Sequence, residues 1–343
     1  MRPIIPYSIK LRRLAPVIPL LAAVCIGWSA EAQTNSNRVW PEPPDAPRIV
    51  YIRSLLQPSD AGATQSGFRR FANWLNGGSK GNEAFSKPFG IAVDDLGNLC
   101  LTDTGANTVS LYDEQKKQWH RWEEINKVRF SAPVAIAKKG GNIFVADSGL
   151  AAIVVFDASG KLLFRIDHNL ERPSGLAIHG NRLWVTDSQQ HCVAGFDLRG
   201  KFISKFGKRG TGQGEFNFPT HIAADSEGRL YVTDSMNNRV QVFDPEGRFQ
   251  SQIGSVGDGP GYFSRPKGVA VDSFGHVYVI DALFNNIQIF DHTGRLLLDF
   301  GEPGSGVGEF SLPNGIAISH DNQIFVSDGY NHRVQVFRYV GQQ

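Results

Sequence analysis

Apolar residues in this chain come in short runs. The clearest example is 218–253, FPTHIAADSEGRLYVTDSMNNRVQVFDPEGRFQSQI. Turn-forming residues cut it into four runs at 221–225, 229–233, 239–244 and 248–253. Each run is rich in Val, Ile, Phe or Tyr and is closed by an Asp, Asn or Gly cluster. That pattern predicts four strands of one antiparallel meander. No part of the stretch keeps a helical period over a useful length.

The unit recurs. Its second strand ends in an aspartate at Asp103, Asp147, Asp187, Asp234, Asp281 and Asp328, at successive steps of 44, 40, 47, 47 and 47 residues. Four strands repeating at that period are the signature of propeller blades. One such blade cannot bury both faces alone, whereas six around an axis can. The blades begin at Pro88, Pro133, Pro173, Pro219, Pro266 and Pro313. The predicted fold is therefore all-β, a six-bladed β-propeller of four-stranded antiparallel blades. Blade 6 lacks a fourth strand, because the chain stops after its third. The run at 48–55 (RIVYIRSL) has no blade of its own. A propeller left open exposes two sheet edges, which proteins avoid. The N-terminal strand is therefore predicted to close blade 6.

The motif Pro-x-Gly-[IVL]-Ala, then Asp-x-x-Gly, then Val-[TA]-Asp-Ser, then Asn-x-Arg-Val-Gln-Val-Phe-Asp resembles the NHL repeat, and Asn331-His332-Arg333-Val334 nearly spells its name. Blades 4 and 6 match best. Blade 5 has Phe284-Asn285-Asn286 in place of Asn-x-Arg, and blades 1 to 3 carry Thr108, Ala152 and Cys192 where the Arg is expected. The resemblance covers about residues 48–340 and implies a six-bladed propeller. It implies no single activity, since functions are grafted onto folds.

Composition agrees with an all-β, turn-rich chain: 41% hydrophobic residues and 37 glycines. Six blades use nearly all 343 residues as one domain, at 48–340. Residues 1–32 read as a signal peptide, with a basic stretch ending at Arg13, an apolar core at 14–28 and the cleavage pattern Ala30-Glu31-Ala32. Its core is short for a membrane span and holds Pro16 and Pro19. The protein is thus predicted to be exported, periplasmic or secreted. Lipidation at Cys25 and a twin-arginine signal at Arg12-Arg13 are the lesser variants. Residues 33–47, polar and Pro-rich, read as a linker, and 68–74 (FRRFANW) as a short helix. Without residues 1–32 the chain carries 31 basic and 32 acidic residues, so no nucleic-acid partner is expected. Cys100 and Cys192 fall in blades that are not neighbours, beyond disulfide reach.

Four sets of residues carry candidate chemistry. The ring of six aspartates suggests metal or acid–base work, but six-fold repetition just before tight loops predicts carboxylates accepting backbone N–H bonds. The segments Gly210-Thr-Gly212-Gln-Gly214 and Gly304-Ser-Gly306-Val-Gly308 resemble phosphate loops, yet no helix with a Lys follows, and they read as connectors. Phe216, Phe263 and Phe310 are expected to anchor them, and Arg239 and Arg333 to pair with Asp234 and Asp328.

His221 stands in the slot that is Gly90, Gly175, Gly268 and Gly315 elsewhere (Ala135 in blade 2). The peptide-amidating lyases, which resemble this chain in fold and repeat, bind zinc near that place through about three His. Here one His stands alone, so it is expected to sit as a polar residue in a solvated channel. No metal and no cofactor is expected.

Last, Phe89, Met236, Lys267, Leu283, Phe284 and Tyr330 fall on two loop sets expected to share one face. Equivalent apolar residues on consecutive blades predict an interaction face, with Asn237, Asn285 and Asn331 as its polar rim. The function expected is a binding or scaffolding module for a protein or peptide partner, most simply a monomer. The alternative is a metal-assisted lyase or lactone hydrolase of six-bladed propeller type.

Overall fold

The computed structural model describes residues 38–61 and 84–341. The signal-peptide segment and the helix expected at 68–74 lie outside the described residues. Within them the chain is a six-bladed propeller. Strands are lettered A to D from axis to rim. Blade 4 shows the plan: A is Pro219–Ala224, B is Leu230–Asp234, C is Arg239–Phe243 and D is Phe249–Ile253. Each blade has the antiparallel order A-B-C-D. The six A strands touch one another in sequence around the axis, with Ile316–Ile318 of blade 6 against Pro88–Val93 of blade 1.

The hydrophobic pattern explains the layering. In blades 1, 4 and 5 every residue of strand B is buried. The D strands at the rim are largely exposed or half-buried, as in Phe249–Ile253, where only Ile253 is buried. Apolar side chains of adjacent blades interlock, for example Tyr231, Val240 and Ile253 of blade 4 with Val269, Val277 and Phe290 of blade 5. The A strands approach so closely that a Cβ on Gly315 would stand 2.3 Å from the Phe89 carbonyl oxygen. This is why the slot after Pro-x favours glycine.

Closure follows the sequence argument. Ile49–Leu55 is strand D of blade 6, antiparallel to Arg333–Tyr339, with Ile49 opposite Tyr339 and Leu55 opposite Val334. Ile49 and Leu55 are buried. Part of the segment read as linker also has a place in the sheet: Val39–Trp40 is a fifth strand outside Ile49–Leu55. Trp40 packs on Phe300 and Phe337, and Arg38 reaches Glu302 and the Val307 carbonyl of the neighbouring connector. A second unforeseen element is the hairpin Glu124–Ile125/Val128–Arg129 between blades 1 and 2. Its Ile125, with Phe130, fills the gap between those blades beside Val109 and Phe156.

Candidate binding face and axial channel

Strand B ends, and strand A begins, at the same end of every blade. Backbone bonds join the two places, as from Ser148 N–H to Ala132 O, Met236 N–H to Asn217 O and Ala282 N–H to Arg265 O. One face of the propeller therefore carries the loops after the six aspartates, the Gly-rich connectors and the Pro-x-Gly corners. The opposite face carries the Asp-x-x-Gly turns.

The aspartates hold this face together in two ways. In blades 1, 2, 3 and 5 each takes four backbone N–H bonds, two from the segment before strand A and two from its own loop. Asp147, for instance, accepts from Ser131, Ala132, Gly149 and Leu150. In blades 4 and 6 side chains take over. Asp234 accepts from Asn217 N–H, Asn237 Nδ2, Arg239 Nε and Gln241 Nε2. Asp328 has the corresponding set from Ser311, Asn331, Arg333 and Gln335. The arginine then reaches onward, Arg239 Nη2 to the carbonyls of Gly212 and Glu215, and Arg333 Nη2 to those of Gly306 and Glu309. The Asn-x-Arg-x-Gln motif thus clamps the Gly-rich connector. Phe216, Phe263 and Phe310 bury completely beneath the connectors. These glycine loops are structural, as the missing helix implied.

The Asp-Ser and Thr-Asp pairs have a role that sequence reasoning missed. Ser148, Ser235, Thr233 and Ser327 donate to carbonyls of the next blade, at Pro173, Pro266, Lys267 and Phe89 respectively. The last of these latches blade 6 to blade 1. The signal was present in the repeated Ser and Thr, but their target lies one blade away.

Of the residues expected on the interaction face, Met236, Leu283 and Tyr330 are 63, 55 and 54% exposed. Phe284, Phe89 and Lys267 are half-buried. Lys87 of blade 1 sits 4.5 Å from the Tyr330 ring centre, a cation–π contact that orients the ring. The asparagines do not form a free rim. Asn237 and Asn331 donate to Gly210 O and Gly304 O, and Asn285 Oδ1 accepts from Leu312 N–H.

His221 is partly buried. It extends into the axial channel, where a cavity of about 50 Å³ is lined by the glycine slots and the aliphatic residues after them, such as Ile91, Ile136 and Val269. Both ring nitrogens are shut off from water and neither has a hydrogen-bond partner. Burial, with the Lys267 ammonium nearby, pushes its pKa down to about 3. The Asn314 side chain lies beside it, outside good hydrogen-bond geometry, and Asn314 Oδ1 and Thr220 Oγ1 are likewise buried and unpartnered. Burial, and then Arg265, lowers Lys267 to about 8. Among the described residues, no three His, Cys, Asp or Glu side chains converge as a metal site. Cys100 and Cys192 are buried free thiols, and burial raises them to about 12 and 11.

The architecture defines a six-bladed β-propeller built on NHL-type repeats. Family comparison agrees: the NHL repeat model matches residues 310–337, and the family described as a 6-bladed beta-propeller matches 167–229 and 223–283. No curated protein matches the chain. Among solved structures, virginiamycin B lyase from Staphylococcus aureus is 16% identical, with 74% of this chain and 96% of that one covered and a TM-score of 0.56. An auxiliary nutrient binding protein from Bacteroides thetaiotaomicron is 14% identical, with 74% and 69% covered and a TM-score of 0.59. A chain of a nidogen/laminin complex is 21% identical, with 69% and 89% covered and a TM-score of 0.54. At such identities the likeness is one of fold.

Proposed function

We propose that the protein is an exported binding module that docks a protein or peptide on the face carrying the aspartate loops. The observation that supports this is the exposure of Met236, Leu283 and Tyr330 on equivalent loops of three consecutive blades. Nothing in the folding of a blade requires apolar bulk there, since blade 1 has Gly105-Ala106 and blade 3 has Gln189-Gln190 at those positions. Met adapts to varied partners, and Tyr concentrates contact energy at interfaces. Phe284 lies on the blade-5 aspartate loop, and Phe89 and Lys267 at Pro-x-Gly corners, all half-buried. No helix among the described residues is long and apolar enough to cross a membrane. The signal-peptide pattern of residues 1–32 supports export.

The test is site-specific photo-crosslinking in the source cell. A crosslinker at Leu283 should trap a discrete adduct, and the additional change Tyr330→Ser should reduce it. The same crosslinker at Arg199, exposed on an Asp197–Gly200 turn of the opposite face, should not trap it. Equal adducts from both positions, or none from Leu283, sink the proposal.

A further inference from the structure

The channel mouth holds a second, independent arrangement. The x residues of Pro-x-Gly in blades 4, 5 and 6 are Thr220, Lys267 and Asn314, and His221 projects among them from the glycine slot. The side chains of His221, Lys267 and Asn314, from three adjacent blades, thus lie together, and His221 also lines the aliphatic cavity. Thr220 Oγ1, Asn314 Oδ1 and both nitrogens of His221 are buried and unbonded. Lys267 is half-buried, and its ammonium forms no ion pair with a carboxylate among the described residues. The ionisable neighbours that act on it and on His221 are Arg265 and Lys267 itself, both basic.

A buried polar group without a partner costs about 1–3 kcal/mol, and a charged one more. One way a native structure keeps such a cluster is that something outside the chain satisfies it. The complement must carry negative charge for Lys267 and must accept a hydrogen bond from the His221 N–H. It must also be small, because the cavity holds about 50 Å³. Its floor is aliphatic, which suits a hydrocarbon part better than an inorganic anion. One oxyanion head with a short apolar stem meets the requirements of charge and size, and leaves Asn314 Oδ1, itself an acceptor, to a donor elsewhere on the ligand.

We infer that the channel mouth binds a carboxylate group through Lys267 and His221, beside Asn314. The group can come from a small aliphatic acid or from the C-terminus of a peptide. Nothing in this inference depends on the apolar arc of blades 4 to 6.

The probes are sodium acetate and a short peptide with a free C-terminus, each titrated calorimetrically into the full protein. Acetamide, sodium chloride and the C-terminally amidated peptide are the controls. Acetate or the free peptide should bind and the controls should not. Acetate binding identifies small acids as the source, and binding of the peptide alone identifies a chain terminus. Lys267→Met should weaken binding at least tenfold. His221→Gly, which restores the residue of four other blades, should weaken it several-fold while leaving the far-ultraviolet spectrum unchanged. Should Lys267→Met fold poorly, Lys267→Gln serves in its place, with the same loss expected. Equal binding by acetamide or chloride, affinity unchanged in the Lys267 variant, or no binding of either probe overturns the inference.

Discussion

Replacing Arg239 by Met tests whether the NHL arginine is a clamp. Its side chain is 9% exposed and its Nε stands 2.9 Å from Asp234, which is fully buried. Breaking a buried pair by removing one partner costs about 3–5 kcal/mol. The local geometry points to the lower end. Asp234 keeps Asn217 N–H at 2.6 Å and Asn237 Nδ2 at 2.8 Å. The Glu215 carbonyl keeps Gln241 Nε2, and the Gly212 carbonyl keeps Glu215 N–H. A loss of about 3 kcal/mol, spread over roughly 280 ordered residues, corresponds to a fall in Tm of about 5 °C. In an Asp234→Asn background the same change should cost less than half as much, since no buried charge is then stranded. The local consequence is separate from the global one. Trypsin should cut faster after Lys208 and Arg209, which are exposed at the start of the connector that Arg239 holds. Tm within about 1 °C of the parent, together with unchanged cleavage at those two sites, would refute the clamp.

Three further outcomes follow from the geometry. Gln288 holds the blade-5 connector through Gly261 N–H and Tyr262 O; Gln288→Ala should cost about 1–3 kcal/mol and speed amide exchange at Gly261, whereas unchanged exchange there argues against it. Deleting residues 38–56 removes buried Trp40, Ile49 and Leu55 and bares the edge of Arg333–Tyr339; the product should melt lower than the Arg239 variant and aggregate, and a deletion that melts like the parent ends the closure argument. His221, lowered to about 3 against an ordinary 6.5, is neutral in the folded chain and protonated in the unfolded one between those values, and Lys267, the charged group facing it, stays protonated there. Its proton-linked cost therefore vanishes above pH 6.5, and between that value and about 3 stability falls by about 1.4 kcal/mol per pH unit as the pH drops. Urea unfolding at several pH values should show a shallower acid loss for His221→Gly, and equal slopes would contradict the burial described.

The repeat made most of the fold legible before any coordinates. Six aspartates and six Pro-x corners count the blades, and the absent D strand of blade 6 points to 48–55 because only one run lacked a home. Val39–Trp40 escaped notice because two residues in a Pro-rich stretch carry no period. The hairpin at 124–129 is too short to alternate. The site was less legible for a different reason. Exposure of Met236, Leu283 and Tyr330 follows from loop position, which the repeat supplies. The neighbours of the His221 ring, Lys267 and Asn314, come from one and two blades further round, and no local pattern carries that information. The asparagines read as a rim are likewise claimed by connectors about 27 residues upstream or downstream.

The joining of Ile49–Leu55 to Arg333–Tyr339 also sets an order in time. Ile49 leaves the ribosome 290 positions before its partner Tyr339. At about 5–20 residues per second, that strand waits roughly 15 to 60 s with its backbone unpaired. Blades 1 to 5 can each zip up as they emerge, but the ring has no clasp until the last strand arrives. A nascent chain is thus an open arc with an adhesive end throughout its synthesis. A holding factor bound to residues 48–55 would delay ring closure without touching any other blade, so the moment of completion rests with one seven-residue strand.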